Sequence, residues 1–184
     1  FTVMMWVATE RAIYLVLGLV IFSGAAYIAW RMFEVVQTRV DIWLDPWSQY
    51  EGKGYQPAQA MFAFANGGTA GTGLGLGNPS KIPAASTDYV FAAIGEEMGL
   101  IGATAVIIAF LLLLGAGLRV AVRADRPFEK LLATGLTTII SMQAFVIIGG
   151  VLRLVPLTGI TLPFVSYGGS SLLANYILLA LLLR

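Results

Sequence analysis

The sequence has no cysteine and no histidine in 184 residues. The first absence excludes a disulfide scaffold, a thiolate nucleophile and a cysteine-ligated zinc site. The second excludes a complete Ser-His-Asp triad, an HExxH zinc site and imidazole general bases. Acid–base work therefore falls to Asp, Glu, Lys or Tyr. Charge is also scarce: Asp, Glu, Lys and Arg make up 11% of the chain, against roughly 25% in soluble proteins. A soluble domain of this size could not cover itself with so little. The 11 basic and 10 acidic residues leave a net charge of +1. No field exists to steer nucleic acid, and no nucleic-acid partner is expected.

What the chain does have is apolar surface. Hydrophobic residues are 58% of it, with 21 glycines besides, and the mean hydropathy is +0.84. Residues 12–30 are 19 uncharged positions, 98–118 are 21 and 131–152 are 22, each bounded by charge. At about 1.5 Å per residue each can cross a hydrocarbon core of about 30 Å. The stretch 171–183 after the Pro-Gly segment has only 13 positions, so a fourth span over about 167–184 must begin near Tyr167 or run past the last residue. The expected fold is all-α: a polytopic transmembrane bundle of about four spans in one membrane domain over 1–184.

The loop 119–130 carries Arg119, Arg123, Arg126 and Lys130 and reads as cytoplasmic. The segment 31–97 spreads its cations thinly and reads as an external loop. Its aromatic content argues against disorder. Residues 31–43 have helical apolar spacing and suggest an amphipathic helix on the membrane surface. Residues 57–66 suggest a short helix opened by Pro57, and helix resumes near Asp88. The chain starts at Phe1 without Met or a basic leader and stops at Arg184 inside an apolar run. It is expected to be part of a longer protein.

Several polar positions stand out against this background. Residues 67–77 hold six glycines in eleven positions. They lack the Gly-Lys-Ser/Thr of a Walker loop and the GxGxxG spacing of a dinucleotide fingerprint. A tight re-entrant bend or a contact with lipid phosphate remains. Thr87 or Asp88 can cap the helix that follows. Asp88 can equally be a carboxylate beside apolar walls, poised as a general base. Glu96 and Glu97 follow about two turns later; a carboxylate at that depth is either functional or held in a packing ion pair, with Arg153 as one partner. Gln143 lies mid-span and reads as a bridge between helices. Arg153 either snorkels or binds phosphate through its guanidinium fork. Residues 156–171 are too rich in Pro and Gly to span, and must be buried by protein or line a cavity.

Residues 156–171 (PLTGITLPFVSYGGSS) resemble the signature of the SEDS family of shape, elongation, division and sporulation proteins. The stretches Gly73–Gly77, Ser86–Phe91 and Gly95–Gly99 are similar to that family's external loop and the helix after it. Arg153-Leu154-Val155-Pro156 and Leu172-Leu173-Ala174-Asn175-Tyr176 resemble the RodA elongation branch more than the FtsW division branch. The resemblance implies a glycosyltransferase that polymerises lipid II on the outer face of the bacterial inner membrane. Asp88 falls on the family's essential aspartate and would take the proton from the acceptor sugar's 4-hydroxyl. Lys81, Lys53 and Arg153 are the candidates to hold the pyrophosphate, with Gln59 and Ser166 as further substrate contacts. Thr87, Glu96, Glu97 and Gln143 are expected in supporting roles. A divalent cation, Mg or Mn, could share the leaving group's charge, although no residues are assigned to a metal. The implied partners are membrane lipids and a class B penicillin-binding transpeptidase. Many family members carry Glu and His where this chain has Ala84 and Ser86, so roles tied to those positions do not transfer. A lipid II flippase and a noncatalytic scaffold for the transpeptidase stay open as alternatives.

Overall fold

The computed structural model describes residues 1–183, the side chain of Pro79 apart. Among them are seven α-helices and no strand: α1 (Thr2–Thr9), α2 (Ile13–Met32), α3 (Glu34–Leu44), α4 (Tyr55–Gly67), α5 (Val90–Arg123), α6 (Pro127–Val151) and α7 (Gly169–Leu183). Three of them, α2, α5 and α6, are long and apolar enough to cross a membrane. α7, where the fourth span is expected, is a shorter apolar helix of 15 residues, or about 22 Å.

The core is the seam where α5 meets α6, with α4 laid against α5. Small residues let these backbones approach. Ala60 and Ala63 of α4, Ala92 and Ala103 of α5, and Ala144 of α6 are buried there with Phe91, Ile147 and Val151. A second cluster at the opposite end joins Ala121, Ala133 and Leu136 to Leu182 of α7. α2 is the contrary case. It has no buried residue, and its apolar side chains are mostly exposed in this chain.

α6 begins four residues earlier than its uncharged run, because Pro127 stands at its first positions and presets the helical φ. The α5–α6 turn carries the basic cluster and the one ion pair among the described residues, Arg126–Glu129 at 3.2 Å. Asp88 lies just before the other end of α5. The topology therefore puts the basic turn and Asp88 at opposite ends of one spanning helix.

α5 is broken at Gly99, whose φ of 63° and ψ of −164° are not helical. The break frees backbone groups on both sides, and the glycine run takes them up. The N–H groups of Leu100 and Ile101 donate to the carbonyls of Gly68 and Thr69 at 2.9 and 3.2 Å. Thr72 and Gly73 donate in return to the carbonyls of Glu96 and Glu97 at 2.9 and 3.0 Å. The glycine run is thus a re-entrant bend docked on a broken helix. A Cβ at Gly99 would collide with the backbone of Thr69 and Gly71.

The tail after α6 is irregular and satisfies its polar groups within the protein. Gln143 Nε2 donates to the Thr161 carbonyl at 2.8 Å. Gln143 thus ties α6 to the tail rather than to another helix. The Thr161 and Ser171 hydroxyls bond to each other at 2.6 Å. Ser166 is buried with its hydroxyl bonded on both sides.

Candidate active site

Asp88 precedes α5 but does not cap it. The cap position is Tyr89, without a side-chain cap bond. Thr87 does not cap either: its hydroxyl donates back to the Ala84 carbonyl at 3.2 Å. That carbonyl also receives the N–H groups of Thr87 and Tyr89. Ala84 reaches this turn with a φ of 60°. The turn closes on the Ala84 carbonyl without the Asp88 side chain, so the cap expected at Thr87 or Asp88 is replaced. The half-buried Asp88 carboxylate makes no hydrogen bond among the described residues.

That carboxylate opens into a cavity of about 270 Å³. α3 supplies one wall through Val35, Ile42 and Trp43, and the tail supplies Leu157 and Gly159. Three cations share the space with Asp88: Arg39, Lys53 and Arg153. A Cβ placed on Gly159 would lie 3.6 Å from Asp88 Oδ2 and 3.7 Å from Arg39 Nη2. Carboxylate and guanidinium therefore converge on the same bare glycine, whose φ of 74° suits it to the turn.

The three cations differ in how free they are. Arg39 Nη1 donates to the carbonyls of Leu157 and Thr158 at 3.1 and 2.8 Å. Arg153 is more committed. Its Nη2 donates to the carbonyls of Trp43 and Leu44 at 2.6 and 3.1 Å, and its Nη1 meets Met61 Sδ at 3.4 Å. Trp43 Nε1 answers by donating to the Arg153 carbonyl at 2.8 Å. A guanidinium on the last carbonyls of α3 also suits the helix dipole. Arg153 is thus first a clamp on α3, although it lines the cavity. Lys53 is exposed and forms no ion pair among the described residues.

Tyr89, beneath Asp88, is 3% exposed. Its burial, and then the neighbouring Asp88 charge, hold its hydroxyl protonated well above the ordinary tyrosine range. It is a neutral neighbour at any physiological pH.

The other sequence candidates lie elsewhere. Lys81 and Gln59 line a separate cleft of about 30 Å³ with Glu96, Asn66 and Asn78. Gln59 Nε2 donates to the Tyr50 hydroxyl at 3.3 Å. Glu96 is 4% exposed and its Oε2 has no partner. The ion pair with Arg153 considered for it does not form. Glu97 lines a different groove, with Leu74 and Met98. Ser166, expected at the substrate, is 1% exposed and bonds only protein backbone. Sequence reasoning missed Arg39 and Trp43. Their one signal was their place on an amphipathic external helix.

The cavity has one carboxylate against three cations, and no three His, Cys, Asp or Glu side chains cluster among the described residues. That donor set does not fit a protein-held Mg or Mn ion, which wants several oxygen ligands and little competing positive charge. It fits an anionic ligand next to a single base.

Comparison with known proteins agrees with the fold. The family model FTSW_RODA_SPOVE, described as "Cell cycle protein", matches residues 1–184. The chain is 50% identical over its whole length to a peptidoglycan glycosyltransferase RodA of Mycobacterium bovis, and 47% identical to that of Mycobacterium leprae. It is 39% identical over 98% of its length to a probable peptidoglycan glycosyltransferase FtsW of Geobacter metallireducens. The chain spans 39% of the M. bovis protein and 49% of the Geobacter protein. A solved structure described as "Structural coordination of polymerization and crosslinking by a peptidoglycan synthase complex" superposes with a TM-score of 0.76 at 29% identity. That superposition covers 98% of this chain and 51% of the other. With these relatives and three spanning-length helices, the chain is part of a multi-pass membrane protein.

Proposed function

The chain belongs to the FtsW/RodA/SpoVE family of cell cycle proteins, and on that premise we propose that this protein is an inverting peptidoglycan glycosyltransferase acting on lipid II. One observation carries the reading: an uncapped, unbonded carboxylate, Asp88, faces a cavity that also holds Arg39, Lys53 and Arg153. A general base needs free lone pairs and a place for the reacting hydroxyl beside it. A polyprenyl pyrophosphate leaving group needs cations.

In the proposed step the acceptor's 4-hydroxyl oxygen attacks the donor's anomeric carbon. The bond from that carbon to the pyrophosphate oxygen breaks, and configuration inverts. Asp88 takes the hydroxyl proton as the new glycosidic bond forms. The departing pyrophosphate carries the electron pair, and Lys53 and Arg39 offset its charge. Val35, Ile42 and Leu157 line the cavity with apolar surface suited to the lipid. The site faces the outer side of the bacterial inner membrane, opposite the basic α5–α6 turn. Here the protein works beside a class B penicillin-binding transpeptidase. The solved relative, described as coordinating polymerization and crosslinking, supports that partnership.

The test is Asp88→Asn in the full-length protein with purified lipid II, read as glycan length on a gel. Asparagine keeps the size of the side chain and removes the base. The expected result is loss of polymer at unchanged protein yield, and wild-type polymerisation would refute the assignment. Translocation of lipid II in vesicles by the same variant would favour the flippase alternative.

A further inference from the structure

Asp88 receives no support from its own side chain or from the cap of α5, yet its position decides whether a proton can be taken in line. The support comes from the tail, far away in sequence. The Ser166 hydroxyl accepts the Leu162 N–H at 2.8 Å and donates to the Thr87 carbonyl at 2.6 Å. The first bond occupies the oxygen as acceptor and leaves its hydrogen for the second. Next door, the Tyr167 N–H donates to the Ser86 carbonyl at 2.8 Å. Two successive carbonyls immediately before Asp88 are therefore held by two successive residues of the tail. The same tail carries Leu157 and Gly159, which line the cavity opposite the carboxylate.

We infer that Ser166 is a positioning residue for Asp88: with the Tyr167 N–H it latches the segment before Asp88 onto the tail and sets the carboxylate's place in the cavity. This inference rests on the general-base reading above. It differs from the substrate contact expected from sequence, because a residue 1% exposed with its hydroxyl engaged on both sides cannot reach a ligand.

Removing the hydroxyl leaves the Thr87 carbonyl without its donor and frees the segment to shift. A displacement of about 1 Å at a reacting group can cost on the order of a hundredfold in rate. The experiment measures kcat and KM for lipid II polymerisation by the full-length protein as wild type, Ser166→Ala and Thr161→Val. Thr161→Val is the control. It breaks the Thr161–Ser171 bond in the same tail without touching residues 86–88. The expected result is a kcat lowered roughly ten- to a hundredfold by Ser166→Ala with KM changed by less than about threefold, and an unchanged kcat in Thr161→Val.

A wild-type kcat in Ser166→Ala overturns the inference. So does a loss confined to KM, which would make Ser166 a substrate contact. Equal kcat losses in both variants would also overturn it, as general loosening of the tail. If the alanine variant does not accumulate, Ser166→Cys carries the test. Its weaker S–H donor should lower kcat severalfold at unchanged KM, and wild-type kcat there is the refuting result. Asp88→Asn run alongside separates the two ideas. An inactive Asp88→Asn with a fully active Ser166→Ala removes the latch and leaves the base, whereas an active Asp88→Asn removes the base itself.

Discussion

Gly99→Ala should damage this protein more than its chemistry suggests, and the structure says by how much. Glycine to alanine inside a helix ordinarily gains up to about 1 kcal/mol. Gly99, however, has a φ of 63° and a ψ of −164°, a backbone region that side-chain-bearing residues enter only at about 1–3 kcal/mol. The new Cβ would also stand 2.7 Å from the Thr69 carbonyl carbon and oxygen. The variant can escape by letting α5 run straight, so that Leu100 and Ile101 bond Glu96 and Glu97 within the helix. The glycine run then loses all four bonds that dock it, each worth about 0.5–1.5 kcal/mol net. Part of this returns through solvation of the released loop, so a destabilisation of about 2–4 kcal/mol is expected. Gly115→Ala is the matched control: it is helical, with nothing within 4 Å of the added carbon, and should be neutral or slightly stabilising. Reversible unfolding of the full-length protein in mixed micelles, followed by tryptophan fluorescence, measures both. Limited proteolysis at residues 68–77 reports the undocked loop. Equal stability of the two variants, with the loop equally protected, would show that the docking contributes nothing.

Two further outcomes follow from the site. The buried Tyr89 hydroxyl holds its proton above the ordinary tyrosine value of about 10. The unfolded chain therefore loses this proton first as pH rises, and native stability should fall above about pH 10 by up to about 1.4 kcal/mol per unit. Tyr89→Phe should flatten that fall while leaving stability at neutral pH nearly unchanged, as checked by unfolding midpoints between pH 8 and 11. An identical alkaline slope in the variant would refute this. Arg39→Lys should weaken kcat/KM for lipid II about as much as Arg39→Met does, because Nη1 holds the Leu157 and Thr158 carbonyls while Nη2 stands at Gly159 beside Asp88, two tasks that one ammonium cannot share. Full activity in the lysine variant would reduce Arg39 to a point charge.

The sequence made the membrane architecture legible because a bilayer imposes a one-dimensional rule. Spans must be apolar over a set length, and α2 and α6 obey it, as does α5 beyond its break. The Pro-Gly tail was legible as irregular for the same reason. The break in α5 was not. Gly99 sits between Met98 and Leu100 in an apolar run, where a single glycine reads as tolerated helix, and what breaks it is a loop docked from some thirty residues upstream. Asp88 was found as a candidate, but its free state was not legible, since a Thr-Asp pair before a helix reads as a cap. Arg39 was invisible because the carbonyls it binds lie 118 and 119 positions away. Lys53 and Lys81 looked equivalent in one loop. The packing of α4 on α5 sends only Lys53 to the cavity with Asp88.

The same packing bears on why Asp88, and not the more buried Glu96, suits the role of base. Glu96 is the more deeply buried carboxylate and carries an unpartnered oxygen, which by electrostatics alone would recommend it for acid–base chemistry. Its cleft measures about 30 Å³, close to the volume of one water in the liquid, and no sugar hydroxyl can be presented there together with its ring. Asp88 is less buried and less unusual, yet it faces about 270 Å³ with three cations around it. For the proposed transfer, access and complementary charge outweigh burial. The turn at Ala84 and the proposed latch at Ser166 matter for that reason. They hold the segment without using the carboxylate, so both Asp88 oxygens remain available to the incoming hydroxyl.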